Sequence, residues 1–180
     1  MKVVNIFVSI CAVLLSVVLL IALIVPSDYS VKKEIVINQS QSAVFSYIKY
    51  VKNQEQYSAW AKMDPNMRRE YHGVDGSAGF ISVWKSEIGH VGKGELEVLA
   101  VTDSRIDYAL KFFEPFEVSY TAYLDTEAMS DNETTVTWGL EGRMSYPMNL
   151  LLLVMDMEKE LGKPLIASLE DLKKIQESSK

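Results

Sequence analysis

The chain of 180 residues is 48 % apolar and 23 % charged, a composition typical of one globular domain with a small additional segment. From Pro26 onward it carries 17 basic and 24 acidic residues, so this part is poorly suited to bind nucleic acid or an anionic lipid surface. The single cysteine, Cys11, lies before that point, which excludes a disulfide, a zinc-thiolate site or a cysteine nucleophile from the remainder.

The N-terminal segment has the length and composition of a membrane anchor. Residues 3–25 contain no charged side chain, and about 20 apolar residues are enough to span a bilayer as a helix. This run is longer than the apolar part of a signal peptide, and no Ala-x-Ala cleavage pattern follows it. We therefore expect a retained transmembrane anchor at residues 1–25, a linker at 26–30 and a folded domain at 31–178.

The charges that flank this segment specify its orientation only weakly. Lys2 and the amino terminus favour a cytoplasmic N-terminus, whereas Lys32 and Lys33 lie close to the other end. We predict a single-pass membrane protein whose soluble domain lies outside the cytoplasm.

Beyond the anchor, strand patterns predominate. Residues 30–38 are rich in β-branched side chains with rough alternation, which predicts a first strand. Apolar residues at helical spacing then predict a helix from about Ser40 to Val51, and a second short helix follows at 53–60. Turn signals separate six further predicted strands at residues 67–73, 79–87, 94–101, 105–113, 117–126 and 134–144.

The C-terminal part is predicted to be a long helical region that Pro147 opens. Gly162 and Pro164 interrupt it, and because proline removes a helix hydrogen bond we expect a kink or a restart there. An apolar stripe follows, formed by Leu165, Leu169, Leu172 and Ile175. The order of strand, two helices, six strands and long helix predicts an α+β fold with a curved seven-stranded antiparallel sheet around the C-terminal helix.

The stretch AWAKMDPNM, between the second short helix and the second strand, indicates an elbow. Asp64 is predicted to accept a backbone N–H in an Asx-type turn, and Pro65 pre-sets the turn angle. We expect Lys62 to be solvated. Trp60 either lines the entrance of a cavity or holds the elbow against the core.

The element order is that of the helix-grip (Bet v 1/START-like) fold, and particular stretches strengthen the likeness. The chain resembles membrane-anchored bacterial members of the START-like (SRPBCC) superfamily, in its polyketide cyclase/dehydrase and lipid-transport group. The stretches that carry the resemblance are PSDYSVKKEIVIN, AWAKMDPNM, GKGELEV, FFEPFE, VTWGLEG and YPMNLLLLVMDMEKELGK. It implies an elongated apolar cavity between the sheet and the last helix. It does not imply a substrate, because proteins of one fold have many functions.

The predicted inward face of the sheet is rich in aromatic side chains with a polar tip. Such side chains suit a ligand cavity, because their N–H or O–H can bond a guest; simple packing under the helix is the alternative interpretation. Methionines near the start of the last helix are adaptable enough for variable ligands, or they fill the core. The predicted ligand-binding residues are Trp60, Tyr71, Phe80, Trp84, Tyr108, Leu110, Tyr120, Trp138, Leu140, Met148 and Met155.

Few groups in the sequence indicate chemistry. His72 is expected to face water, and His90 lies in a glycine-rich hairpin with no further ligand nearby, so no metal site and no cofactor are predicted. No carboxylate is assigned to the cavity, and no nucleophile–base pair can be assembled. We predict a membrane-anchored, non-enzymatic domain that binds a lipid or another hydrophobic small molecule.

Two alternatives from other functional classes stay open. A cyclase- or hydratase-like enzyme on the same fold would need a buried carboxylate or histidine that faces the cavity. A protein-interaction module would instead have a filled core and an exposed apolar patch.

Overall fold

The computed structural model describes residues 2–89, 91–115 and 117–178. Its helices are α1 (Lys2–Ile24), α2 (Gln41–Ile48), α3 (Gln54–Tyr57), α4 (Ala59–Lys62) and α5 (Met157–Ser178). Its strands are β1 (Asp28–Ile37), β2 (Arg68–His72), β3 (Ile81–Lys85), β4 (Lys93–Val101), β5 (Arg105–Glu114), β6 (Val118–Ser130) and β7 (Glu133–Arg143). Short 3-10 segments lie at Val51–Asn53 and Met148–Leu153.

These strands form one antiparallel sheet in the order β1-β7-β6-β5-β4-β3-β2. Strands β2 to β7 follow one another as a meander, and β1 closes onto β7 at the far side. The sheet wraps around α5, so the α+β helix-grip fold predicted from the order of elements is confirmed.

The strand register arranges the inward-facing side chains in rows that cross the sheet, because directly paired residues share a face. The first row contains Phe112, Gly94, Trp84 and Arg69. The second contains Tyr29, Gly142, Tyr120, Leu110, Leu96, Ser82 and Tyr71. The third contains Val31, Leu140, Ala122, Tyr108 and Val98. The fourth contains Lys33, Trp138, Leu124 and Ile106.

Helix α5 packs against the inward face of the sheet and fills the space beside its later rows. Leu165, Leu169 and Leu172 are fully buried, in one core cluster with Ile106 and Leu124, as the apolar stripe predicts. Each buried leucine contributes about 1.5–3 kcal/mol relative to an exposed one. The core is therefore solid along the later part of α5.

Polar contacts hold α5 along the edge strand β1. Lys33 forms an ion pair with Glu158 near the start of the helix. Lys173 donates to the Val36 carbonyl at 2.7 Å, and Glu177 accepts the Asn38 backbone N–H at 2.8 Å. The helix therefore runs parallel to β1, with its N-terminus toward the beginning of that strand.

The long C-terminal helical region is broken at a different place from the one predicted. After Pro147 the chain forms only the 3-10 segment, and α5 begins at Met157, where the Asp156 carboxylate accepts the Lys159 N–H at 3.0 Å. The helix then continues through Pro164 without a restart. The predicted restart at 162–164 was wrong, because α5 is one continuous helix from Met157 to Ser178, whereas the predicted kink stays a prediction.

The second predicted short helix is also divided. Ser58 is extended (φ −66°, ψ 125°) between α3 and α4, and its hydroxyl accepts the Ala61 N–H. The serine therefore ends one helix and caps the next.

Helix α1 is, among the described residues, one helix that is long and apolar enough to cross a membrane. Its 23 residues correspond to about 34 Å at 1.5 Å per residue. Nearly all of its side chains are exposed. Near its C-terminal end, the Asn149 amide donates to the carbonyls of Ala22 (2.7 Å) and Val25 (2.9 Å).

Candidate functional site

A cavity of about 330 Å³ lies over the first rows of the sheet. Its floor is the inward face of β3 to β7, and its roof is formed mainly by α3 and α4. From α5 only Leu161 lines it, since the later leucines of that helix already fill the remaining space. The cavity predicted between the sheet and the C-terminal helix is therefore displaced toward the two short helices.

The cavity brings together seven of the eleven residues predicted to bind a ligand. These are Trp60, Trp84, Tyr108, Leu110, Tyr120, Trp138 and Leu140. Six of them come from the rows of the sheet, and Trp60 comes from α4. All three tryptophans of the chain therefore border the same space.

The other four predicted residues lie outside this cavity. Phe80 is fully buried and stacks on Tyr71 with ring centroids 5.9 Å apart, so the two rings pack on each other beside the cavity. Met148 is 57 % exposed and Met155 is 40 % exposed, on the segment that joins β7 to α5. The apolar sequence of that segment does not distinguish a core-facing stretch from an exposed one.

The remaining lining residues were not among the predicted ligand-binding residues. Strand alternation does place Met67, Phe112 and Ala122 on the inward face of the sheet, and the same parity could have identified Leu96 and Ser82. The helical and loop residues gave no such signal, since their positions depend on how the short helices dock. The lining residues outside the predicted ligand-binding set are Val51, Gln54, Glu55, Ser58, Ala61, Met63, Met67, Arg69, Ser82, Val91, Leu96, Phe112, Ala122 and Leu161.

Edge-to-face aromatic contacts shape two walls of the cavity. Trp60 packs on Trp138 with ring centroids 6.0 Å apart. Trp84 packs on Phe112 at 5.1 Å, and Phe112 packs on Tyr120 at 5.8 Å. Such pairs contribute about 0.5–1.5 kcal/mol each beyond area burial and hold the rings in fixed orientations.

Gly94 makes room for one of these rings. A Cβ atom at this position would lie 2.3 Å from the Trp84 indole and 2.5 Å from the Lys111 carbonyl oxygen. The absence of a side chain at Gly94 therefore leaves room over β4 for the indole, and Trp84 lines the cavity.

One neutral polar pair lies in the cavity wall. The Gln54 amide donates to the Tyr108 hydroxyl at 2.9 Å, and both side chains are buried. Burial raises the pKa of Tyr108 well above its ordinary range, although the Gln54 hydrogen bond opposes the shift. The hydroxyl is consequently neutral at physiological pH.

Two charged side chains, Glu55 and Arg69, also border the cavity, which the sequence did not indicate. The Glu55 carboxylate accepts a hydrogen bond from the Tyr71 hydroxyl, and its second oxygen lies 3.6 Å from Arg69. Desolvation, followed by the hydrogen bond to Glu55, raises the pKa of Tyr71 to about 12. Glu55 is thus a carboxylate at the cavity with its own partners, contrary to the expectation that none lies there.

The elbow at residues 62–66 adjoins this site. The Asp64 carboxylate accepts the Asn66 N–H at 2.9 Å, which confirms the predicted Asx-type turn. Its other oxygen accepts the Ser86 hydroxyl at 2.5 Å. Lys62 is not simply solvated as predicted, because it donates to Asp171 of α5 at 2.6 Å. The elbow is held by polar contacts, while Trp60 lines the cavity and also contacts the core.

No cluster of three or more His, Cys, Asp or Glu side chains able to hold a metal occurs within residues 2–89, 91–115 and 117–178. His72 is exposed, as its strand parity predicted. His90 lies outside the described residues.

Comparison with solved structures identifies the fold of this chain independently of its sequence pattern. Norcoclaurine synthase from Thalictrum flavum, in complex with dopamine and hydroxybenzaldehyde, has a TM-score of 0.63 at 12 % identity over 89 % of this chain and 92 % of that chain. XoxI from Bacillus cereus has a TM-score of 0.58 at 12 % identity over 81 % and 94 %. Ara h 8.0201 has a TM-score of 0.54 at 12 % identity over 84 % and 99 %.

These neighbours are Bet v 1-like helix-grip proteins, in agreement with the resemblance to the START-like superfamily. At this level of identity the likeness shows the fold alone. No family model and no curated protein matches the chain.

Proposed function

We propose that this helix-grip chain is a membrane-anchored domain that binds a hydrophobic small molecule in the cavity under α3 and α4. The observation that carries the proposal is an apolar space of about 330 Å³ that several aromatic side chains line. Ligand sites are typically clefts of about 300–1,000 Å³ with mostly apolar walls and few polar groups.

The size of the cavity narrows the ligand class. It lies near the lower end of the range for ligand sites, so it suits a compact apolar molecule or one acyl chain better than a complete two-chain lipid. The Tyr108–Gln54 pair adds one neutral polar point at which a ligand can form a hydrogen bond. The binding residues we propose are the seven predicted ones that line the cavity.

The proposed anchor is α1, with the N-terminus in the cytoplasm and the domain on the other side. Its length of about 34 Å exceeds the roughly 30 Å of a bilayer core. Ile24 and the start of β1 at Asp28 are close in sequence. The first sheet rows, which line the cavity, therefore lie at the end of the domain nearest the membrane.

Native mass spectrometry of the full chain in detergent, with solvent extraction of the purified protein, tests the binding directly. We expect a bound apolar molecule at one copy per chain that organic solvent extracts. A chain that carries nothing and also binds no added apolar probe would contradict the proposal. For the orientation, a cysteine placed at Val74 should react with an impermeant thiol reagent added outside intact cells.

An enzyme of the cyclase or hydratase type is the second candidate, and Glu55 is the observation that favours it. General acid–base catalysis needs a positioned carboxylate at the substrate. The carboxylate already accepts the Tyr71 hydroxyl and faces Arg69, an arrangement that suits a fixed structural charge as well as a base. The substitution Glu55→Gln separates the two, because a binding protein keeps its ligand whereas an enzyme loses turnover of it.

A further inference from the structure

The segment between β7 and α5 exposes an unusual amount of apolar surface. Residues 144–155 read MSYPMNLLLLVM and contain no charged side chain. Leu153 is 63 % exposed and Val154 is 80 % exposed. The other exposed large side chains of the segment are Tyr146, Met148, Leu151 and Met155. Contiguous exposed apolar patches of this kind mark interaction sites.

The position of the segment relative to α1 is fixed by hydrogen bonds. The buried Asn149 amide donates to the carbonyls of Ala22 and Val25 at 2.7 and 2.9 Å. The Met144 N–H donates to the Ser27 carbonyl at 2.9 Å. These contacts bond the segment directly to the end of the apolar helix, where α1 leaves the apolar region it is able to span.

The charge pattern agrees with this placement. Arg143 and Asp156 flank the segment, and both are exposed, whereas everything between them is uncharged. The apolar surface of α1 therefore continues without a charged break onto the segment. The acidic composition of the domain disfavours attraction to anionic lipids, so contact with a bilayer here depends on apolar burial.

We propose that residues 144–155, hereafter the interfacial segment, insert into the boundary between headgroups and acyl chains of the bilayer that α1 spans. This inference rests on the proposed membrane anchor. The apolar face of a segment that lies in this boundary is buried to a depth of about 5–10 Å. The segment then holds the domain at a fixed tilt, with the cavity end of the sheet against the lipid, so that a hydrophobic ligand enters from the membrane.

The exposed positions allow a direct test with little risk to folding. The full chain is reconstituted in phosphatidylcholine vesicles at a low protein-to-lipid ratio. One fluorophore is attached to a cysteine at Val154, in a background that carries Cys11→Ser. The matched control is a cysteine at Val74, which is 73 % exposed in the turn between β2 and β3. A third sample is labelled at the native Cys11 within α1.

Quenching by a nitroxide lipid and by aqueous iodide then reports the surroundings of each label. We expect the Val154→Cys label to be quenched by a shallow nitroxide lipid and to be several-fold less accessible to iodide than the Val74→Cys label. Equal iodide quenching at both sites, with the Cys11 label still protected, would refute the insertion of the interfacial segment and would leave the proposed anchor standing.

The remaining outcomes also separate the two proposals. A Val154→Cys label protected from iodide but not quenched by the lipid would mean that protein, such as a second copy of the chain, covers the segment, and the inference would be wrong. Iodide access at Cys11 would refute the membrane anchor itself, and the interfacial segment with it.

Discussion

The buried pair of Gln54 and Tyr108 offers a quantitative test of how the cavity wall is built. The hydroxyl of Tyr108 accepts the Gln54 amide at 2.9 Å, and the two side chains are 1 % and 8 % exposed respectively. Tyr108→Phe removes the acceptor and leaves the amide donor without that partner. An unsatisfied buried polar group costs about 1–3 kcal/mol, so we expect the free energy of unfolding to fall by about 2 kcal/mol.

The expected loss is easily measured as a thermal shift. For a domain of this size, 1 kcal/mol corresponds to about 2–4 °C in Tm, so Tyr108→Phe should lower Tm by about 4–8 °C. Intrinsic tryptophan fluorescence of the detergent-solubilised chain is the appropriate signal, because all three tryptophans border the cavity. Tyr50→Phe is the matched control, since that ring is 39 % exposed, and it should shift Tm by less than about 2 °C.

A second variant decides whether the loss comes from the orphaned amide. Gln54→Leu combined with Tyr108→Phe replaces both partners by apolar groups, so the double variant should recover most of the stability. If Tyr108→Phe leaves Tm unchanged, a water molecule must replace Tyr108 as the hydrogen-bond acceptor of the Gln54 amide, which would mean that water reaches this wall of the cavity. If the double variant is less stable than Tyr108→Phe, the orphaned donor is not the cause.

Further predictions concern the elbow, the charged edge of the cavity and the glycine hairpin. Asp64→Ala removes the acceptor of the Ser86 hydroxyl and of one backbone N–H, which should destabilise the domain by about 2–4 kcal/mol in urea unfolding; a change below 1 kcal/mol would contradict this. The folded-state pKa of Tyr71 is raised to about 12. The contribution of this shift to the free energy of unfolding is therefore complete below pH 10 and is lost between about pH 10 and 12. Tyr71→Phe should therefore flatten the decline of stability in that range, and a pH profile parallel to that of the wild-type chain would contradict the raised pKa of Tyr71. Gly92→Ala should prevent stable folding, because its Cβ would lie 1.9 Å from the Glu114 carbonyl oxygen at φ +60°; a native melting curve would contradict the hairpin geometry.

Local and periodic signals were sufficient to predict the fold. Alternation in the strands predicted the sheet, and the apolar stripe predicted the long helix that the sheet surrounds. Leu165, Leu169 and Leu172 of that stripe are buried as expected. The Asx-type turn at Asp64 was also predictable, because it needs only its own side chain and the N–H two residues later.

The features that were missed depend on contacts between distant parts of the chain. Lys62 binds Asp171, and Asn149 caps the end of α1, across more than a hundred residues in each case. Glu55 lies at the cavity because α3 packs against α4 and α5 and its carboxylate meets Tyr71 and Arg69 of β2, and no local pattern encodes those contacts. Met148 and Met155 were assigned to the cavity from their type and their place near the start of the last helix, whereas the segment that carries them contacts α1.

The central claim is that the space under α3 and α4 takes up a hydrophobic molecule. Ala122 lies on its floor and is almost fully buried, whereas Ala109 lies one strand away on the opposite face of the sheet. Ala122→Phe places a ring in the cavity, and Ala109→Phe adds the same ring outside it. Overpacking at Ala122 costs about 1–3 kcal/mol, so a melting curve first confirms that each variant is folded.

The decisive measurement is energy transfer from the tryptophans to an apolar fluorescent probe such as an anilinonaphthalene sulfonate or a fluorescent fatty acid. The wild-type chain and Ala109→Phe should bind one probe with equal affinity, and a molecule extracted from the native protein should displace it. The folded Ala122→Phe variant should lose at least about tenfold in affinity, equivalent to about 1.4 kcal/mol. Equal binding by both phenylalanine variants would contradict the assignment of this cavity as the ligand site.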